Sequence, residues 1–84
     1  MENTQLVTLS IITPTASQQH NVEWLEITSP NGSFFIGPNH SPLVSLLKPA
    51  SNIIYKLENH EPISVATTGG IVTIKNNTVL ALLD

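Results

Sequence analysis

The chain has 84 residues and no cysteine, so it is expected to form one small domain, residues 1–84, without disulfide or thiolate–metal support. Three lysines, no arginine and six acidic residues give a net charge of −3, which argues against partners such as nucleic acid or an anionic membrane surface. No apolar run approaches the roughly 20 residues that span a bilayer, and the N-terminus lacks the basic start and apolar stretch of a signal peptide, so no direct membrane insertion is expected.

Short segments rich in Val, Ile and Thr recur along the chain, each bounded by Pro, Gly, Asn or Ser. In chain order they read QLVTLSIIT, VEWLEIT, SFFIG, NIIYKL, PISVAT, GIVTIK and TVLALL. This pattern is typical of consecutive short strands joined by tight turns. The sequence therefore predicts an all-β fold, a small sandwich or flattened barrel of about 8–10 short, mostly antiparallel strands.

Alternation along the second and third segments predicts which side chains face the core. Strict alternation places Val22, Trp24 and Glu26 on one face of their strand, so Trp24 is expected against the core or an assembly contact. The neighbouring residues Phe34 and Phe35 must point to opposite faces. Phe34 is expected to point inward and Phe35 outward.

Turn residues punctuate these segments. Pro30-Asn31-Gly32, Asn59-His60 and Asn76-Asn77 supply residues that tolerate positive φ. Gly69-Gly70 interrupts the strand pattern and predicts a bend or bulge there. The final segment, TVLALL, is apolar on both faces, which predicts a strand covered on each side.

The stretch SPLVSLLKP is compatible with two secondary structures. Leu43, Leu46 and Leu47 follow the i, i+3, i+4 spacing of a helix, yet Pro49 limits any helix to about two turns. The pattern alone favours neither helix nor strand.

The sequence contains no recognisable catalytic, metal-binding or phosphate-binding motif. The three histidines, His20, His40 and His60, are too widely spaced for a zinc motif. A Ser-His-Asp triad would need Asp84, the single aspartate, at the chain terminus. No glycine-rich phosphate loop is present. We therefore expect no catalytic residue, no cofactor, no metal ligand, no small-molecule substrate and no ATP binding at millimolar concentration.

Residues 31–50, NGSFFIGPNHSPLVSLLKPA, carry the most distinctive pattern in the chain. This stretch resembles EGEFGVLPGHAPLLTALKPG of the epsilon subunit of F-type ATP synthases, the subunit called delta in mitochondria. VEWLEIT, before this stretch, and TGGIVTI and TVLALLD, after it, resemble family segments that occur in the same order. The resemblance runs from about residue 6 onward, and it implies an N-terminal β-sandwich in which LVSLL is a strand.

The resemblance implies a function without catalysis. Such a subunit belongs to the central stalk, or rotor, of a proton- or sodium-translocating ATP synthase, where it joins the gamma subunit to the c-ring. It would lie peripherally on the cytoplasmic face of the bacterial inner membrane, or at the organellar equivalent. Many family members continue into a helical domain. The sequence ends at Asp84, which is expected of a short form lacking that domain or of a piece of a longer chain.

The resemblance also indicates where partners would bind. Pro38 and Pro42 fix a corner around His40, which either contacts the stalk or hydrogen-bonds its own turn. The predicted interface with gamma and the c-ring consists of Ser33, Phe35, Ile36, Pro38, His40 and Pro42. Ser33 stands where the family has an acid, and Phe35 where it has glycine. The alternative function is a free-standing β-sandwich that binds a peptide or carbohydrate, with Trp24 or Phe35 as its exposed aromatic residue.

Overall fold

A computed structural model describes residues 5–84, and all regular secondary structure within that range is β-strand. The strands are β1 (Val7–Ile12), β2 (Ser17–Ser29), β3 (Gly32–Ile36), β4 (Leu43–Leu47), β5 (Ser51–Leu57), β6 (Ile63–Thr67), β7 (Gly70–Lys75) and β8 (Thr78–Leu83). Eight short strands confirm the predicted all-β class. The ambiguous stretch LVSLL forms β4, and all five of its residues pair with β7.

The strands form one curled sheet in the order β4-β7-β8-β1-β2-β5-β6, with β3 pairing β2 beside this path. Every pairing is antiparallel except that of β1 with β8, which is parallel. The 13-residue β2 pairs with β1 along its first half and with β3 along its second. The Lys48 N–H donates to the Thr28 carbonyl at 2.8 Å, so the chain leaving β4 returns to β2. The sheet thus curls into a flattened half-barrel with two layers.

One apolar cluster fills the space between the layers. The alternate residues of every strand except the edge strand β6 supply fully buried side chains to it, and Phe34, Leu57, Ile63, Val65 and Leu83 pack against it from the margin. The buried members are Val7, Leu9, Ile11, Val22, Leu25, Ile27, Ile36, Leu47, Ile53, Tyr55, Val72, Ile74, Val79 and Ala81. Phe34 points inward and Phe35 is 61% exposed, which confirms the predicted register of β3.

A β-bulge in β2 changes the face on which Trp24 lies. Val22 pairs with Leu57 and Trp24 with the preceding residue of β5, so one extra residue, Glu23, is accommodated in β2. Both Val22 and Leu25 are therefore buried, while Trp24 points away from the core. The prediction that Trp24 shares a face with Val22 is wrong, because strict alternation does not hold across a bulge.

Two turns use backbone conformations that the sequence predicts. Asn76 and Asn77 connect β7 to β8 with φ of 53° and 60°, the left-handed pair of a tight hairpin turn. Gly70 has φ of 149°, and a Cβ at this position would overlap the Leu82 carbonyl oxygen. The strand pattern is interrupted at Gly69 and Gly70 as predicted: β6 ends at Thr67, the chain bends at Thr68, and β7 begins at Gly70 in the other layer.

Candidate functional site

The outer face of β4, β7, β8 and β1 carries a continuous line of exposed apolar side chains. Leu46 pairs with Ile71, Ile71 with Leu82, and Leu82 with Ile12. Their exposed fractions are 59%, 43%, 45% and 37% in that order. With neighbouring strands about 4.8 Å apart, these four residues, which we call the apolar row, extend for about 15 Å.

The surroundings of the apolar row are also poor in charge. Val44, 68% exposed, and Leu80 lie on the same outer face one step along their strands. Lys75 is the one charged side chain among the outward-facing residues of these four strands. Beside the β4 end of the row, Leu46 and Ile71 line a shallow hollow with Pro49, and the charged residue Asp84 lies at the same hollow. A contiguous apolar face with few charges is typical of a surface that another protein covers.

The sequence predicted this face only in part. The two-sided apolar character of TVLALL indicated a strand covered on both sides, yet within this chain the outward-facing Leu82 is 45% exposed. The four residues of the row come from four strands that are far apart in sequence. Their alignment became apparent only from the pairing of β1 with β8 and of β4 with β7.

The corner between β3 and β4 is held by hydrogen bonds to the rest of the domain. Asn39 has φ of 65°, and its N–H donates to Asn77 Oδ1 at 2.5 Å. The Asn39 side-chain amide donates to Gln5 Oε1 at 2.9 Å. His40 Nδ1 lies 2.7 Å from the carbonyl oxygen of Ser41, so the imidazole hydrogen-bonds its own corner. The corner is a fixed structure that presents Pro42 and His40 beside the β7–β8 turn.

The outer face of the second layer differs from the first because it carries aromatic rings and charges. The ring centroids of Trp24 and Phe35 lie 5.2 Å apart at an interplanar angle of 74°. Glu26 pairs with Phe35 across β2 and β3, and so the two side chains share this outer face. Lys56 Nζ lies 3.2 Å from Glu23 Oε1, the one salt bridge within residues 5–84.

The six residues predicted to form an interface lie in three different environments. Ser33 and Phe35 are on the outer face of β3, where Ser33 Oγ hydrogen-bonds Thr28 Oγ1 at 3.1 Å. The residues of the corner group, Pro38, His40 and Pro42, are half-buried or exposed. Ile36 is 0% exposed and belongs to the core, because it lies two residues beyond Phe34 on the inner face. Its side chain cannot contact a partner, so the prediction that Ile36 belongs to the interface is wrong.

The remaining histidines are occupied by local contacts. His20 stacks on Tyr55 with ring centroids 5.1 Å apart, and its Nε2 lies 3.1 Å from Gln18 Oε1. His60 Nδ1 lies 2.8 Å from the Glu58 carbonyl oxygen. Within residues 5–84, no group of three potential ligands is arranged to hold a metal ion. The same residues include no helix long and apolar enough to cross a membrane.

Comparison with known proteins places this architecture in one family. The model of the family described as ATP synthase, Delta/Epsilon chain, beta-sandwich domain matches residues 6–84. A chain of the Euglena gracilis mitochondrial ATP synthase, solved with OSCP, F1 and c-ring, superposes with a TM-score of 0.87 at 16% identity over 94% of this chain. A chain of the Tetrahymena thermophila mitochondrial ATP synthase central stalk and c-ring gives 0.78 at 16% identity over 98%.

The similarity to these solved chains covers only part of their length. This chain spans 51% of the Euglena chain and 66% of the Tetrahymena chain, and at 16% identity the likeness concerns the fold. The family model, in contrast, matches nearly the whole sequence, including the corner, the glycine pair and all eight strands. The chain therefore belongs to the delta/epsilon chain family of ATP synthases and corresponds to its beta-sandwich domain.

Proposed function

We propose that this chain is a non-catalytic central-stalk subunit of a proton- or sodium-translocating F-type ATP synthase, and that it joins the gamma subunit to the c-ring. Membership of the delta/epsilon family supports the assignment to the stalk. The observation that carries the proposal is the apolar row, because a free domain of this size gains nothing from about 15 Å of aligned exposed aliphatic side chains.

The apolar row is the proposed contact with gamma. Each of its four side chains is between 37% and 59% exposed, so a covering partner would remove substantial apolar area from water. Among residues 5–84, the charges near the row are Lys75 on the outer face of β7 and Asp84 in the adjoining hollow, so burial by a partner would desolvate few charges. An uncharged apolar centre of this kind is typical of the core of a stable protein–protein interface.

The corner and the outer face of β3 are the proposed contact with the c-ring. Pro38, His40 and Pro42 are presented by a corner that Asn39 ties to the β7–β8 turn. Ser33 and Phe35 lie on the adjoining strand. Because these residues are fixed by backbone hydrogen bonds or by strand pairing, this edge can transmit force without rearranging.

The architecture suits a subunit that transmits torque. Hydrogen bonds of the sheet run across eight strands, and the bond between Lys48 and Thr28 returns the end of β4 to β2. Shear between the two proposed contacts is therefore resisted by many ladder bonds and by a close-packed core. The subunit would lie peripherally at the membrane, on the cytoplasmic face of the bacterial inner membrane or at the corresponding organellar face.

A binding assay against the cognate gamma and c-ring subassembly tests this proposal. Ile71→Asp places a carboxylate in the middle of the apolar row, and Ser64→Asp places one on an exposed β6 position of the other layer as the matched control. We expect Ser64→Asp to bind as the wild-type chain does, and Ile71→Asp to bind at least about tenfold more weakly. Leu46→Asp, on the edge strand β4, should weaken binding to a similar extent.

Circular dichroism before each binding measurement shows whether the variants remain folded. Failure of the folded wild-type chain to bind the subassembly would refute the proposed function. Equal binding by the wild-type chain and folded Ile71→Asp would show that the apolar row is not the contact. The alternative of a free-standing binding module is not favoured, because the family match covers the corner and all eight strands.

A further inference from the structure

The outer face of the second layer carries a cluster of which only Phe35 belongs to the contacts proposed above. Trp24 and Phe35 form an edge-to-face pair at 5.2 Å, and Phe35 is 61% exposed. Glu26 lies directly opposite Phe35 and two residues from Trp24 on the same face. We call these three residues the aromatic–carboxylate patch.

Glu26 is the unusual member of the patch. It is half-buried, with Phe35 opposite it on one neighbouring strand and Ile54 opposite it on the other. Among residues 5–84 it makes neither a salt bridge nor a side-chain hydrogen bond, since the nearby Lys56 is paired with Glu23. A carboxylate placed between apolar side chains loses part of its hydration and gains most from a cation that reaches it from outside.

The aromatic rings favour the same kind of ligand. A guanidinium or ammonium group is attracted to the face of an aromatic ring within about 6 Å of the ring centroid. Cβ atoms of directly opposed residues on antiparallel strands lie about 4.5–5.5 Å apart, so one cation can contact the Phe35 ring and the Glu26 carboxylate together. The planar guanidinium satisfies both contacts best, because it stacks on rings and donates to carboxylates in one plane.

We propose that the aromatic–carboxylate patch binds an arginine side chain carried on an exposed loop of a partner protein. The proposal deepens the proposed function, on which it rests for the identity of that partner as a component of the synthase. A carbohydrate is the weaker occupant, because two rings at 74° do not form the flat platform on which a sugar ring stacks. The bulge at Glu23 creates the patch, since it turns Trp24 outward next to Phe35.

A peptide titration tests the ligand chemistry without the synthase. The full chain, labelled with ¹⁵N, is titrated with acetyl-Gly-Arg-Gly-amide and, as the matched neutral control, with the same peptide containing citrulline. We expect saturable shifts of the Trp24 indole N–H and of the Glu26 and Phe35 amides with the arginine peptide alone. Glu26→Gln should weaken this binding about two- to fivefold, whereas Glu58→Gln, in an exposed turn, should not.

The outcomes separate the proposal from the proposed function. Equal responses to the arginine and citrulline peptides, or no response to either, would overturn the arginine assignment, even if the chain binds the stalk. Saturable shifts with glucose but not with arginine would assign the patch to carbohydrate and overturn it as well. In the binding assay with the gamma and c-ring subassembly, Glu26→Gln should also reduce the salt dependence of the affinity.

Discussion

Truncation of the two adjacent phenylalanines of β3 should affect the isolated domain very differently. Phe34 packs against the apolar cluster, and Phe→Ala in a core costs about 3–5 kcal/mol. Because Phe34 is half-buried, we expect Phe34→Ala to reduce the free energy of unfolding by about 2–3 kcal/mol. Phe35 is 61% exposed, and its defined contact is the aromatic pair with Trp24. Loss of that pair should cost about 1 kcal/mol.

Thermal unfolding followed by circular dichroism measures this difference. For a domain of this size, each kcal/mol lowers the Tm by about 4–8 °C, so the two variants should differ by roughly 5–15 °C. Ser33→Ala is the control, since it removes only a hydroxyl on the same exposed face as Phe35. If Phe35→Ala lowers the Tm as much as Phe34→Ala, or more, then the inward and outward faces of β3 are reversed and both proposed contacts on this layer lose their basis.

Three further predictions concern single backbone or side-chain features. Gly70→Ala should cost about 3 kcal/mol or more, because its φ of 149° and the nearby Leu82 carbonyl oxygen exclude a Cβ; a wild-type Tm would contradict this. Asn77→Gly keeps the left-handed turn but removes the acceptor for the Asn39 N–H, so the Asn39 amide should exchange hydrogen faster with a stability loss of about 1 kcal/mol, and Asn77→Ala should lose about 1 kcal/mol more. Trp24 should be quenched by acrylamide in the isolated chain and protected on binding the subassembly; resistance to acrylamide in the isolated chain would place it inside the core.

The alternation of side chains was a sound guide wherever a strand is regular. It predicted the inward Phe34 and outward Phe35, and the paired asparagines at positions 76 and 77 predicted the hairpin turn. It failed at Trp24, because an extra residue in β2 reverses the alternation and nothing in the local composition marks a bulge at Glu23. The spacing in LVSLL left helix and strand open, since leucines at both inner and outer positions of an edge strand mimic a helical stripe, and the family resemblance correctly favoured the strand.

The candidate contacts depend on pairings that a single sequence does not contain. Ile12 and Leu82 are 70 residues apart in sequence, and only the parallel register of β1 with β8 makes them neighbours. Ile36 shows that motif position alone can also mislead. Its place in a distinctive motif suggested a contact residue, but it points inward, as expected from Phe34 two residues earlier. The position of residues in the motif identified the family, whereas the inward or outward direction of each side chain decided whether it can contact a partner.

The parallel pairing of β1 with β8 also bears on how the domain is made. The eighth strand inserts between the first and the seventh, and Thr8 pairs with Thr78. Such contacts between distant residues give a high contact order, which slows folding. During synthesis, β1 and β7 each keep one unpaired edge until β8 has left the ribosome, so the nascent chain exposes two strand edges. Proteolysis within residues 78–83 would reopen both edges together, and aggregation rather than partial activity is the expected fate of such a product.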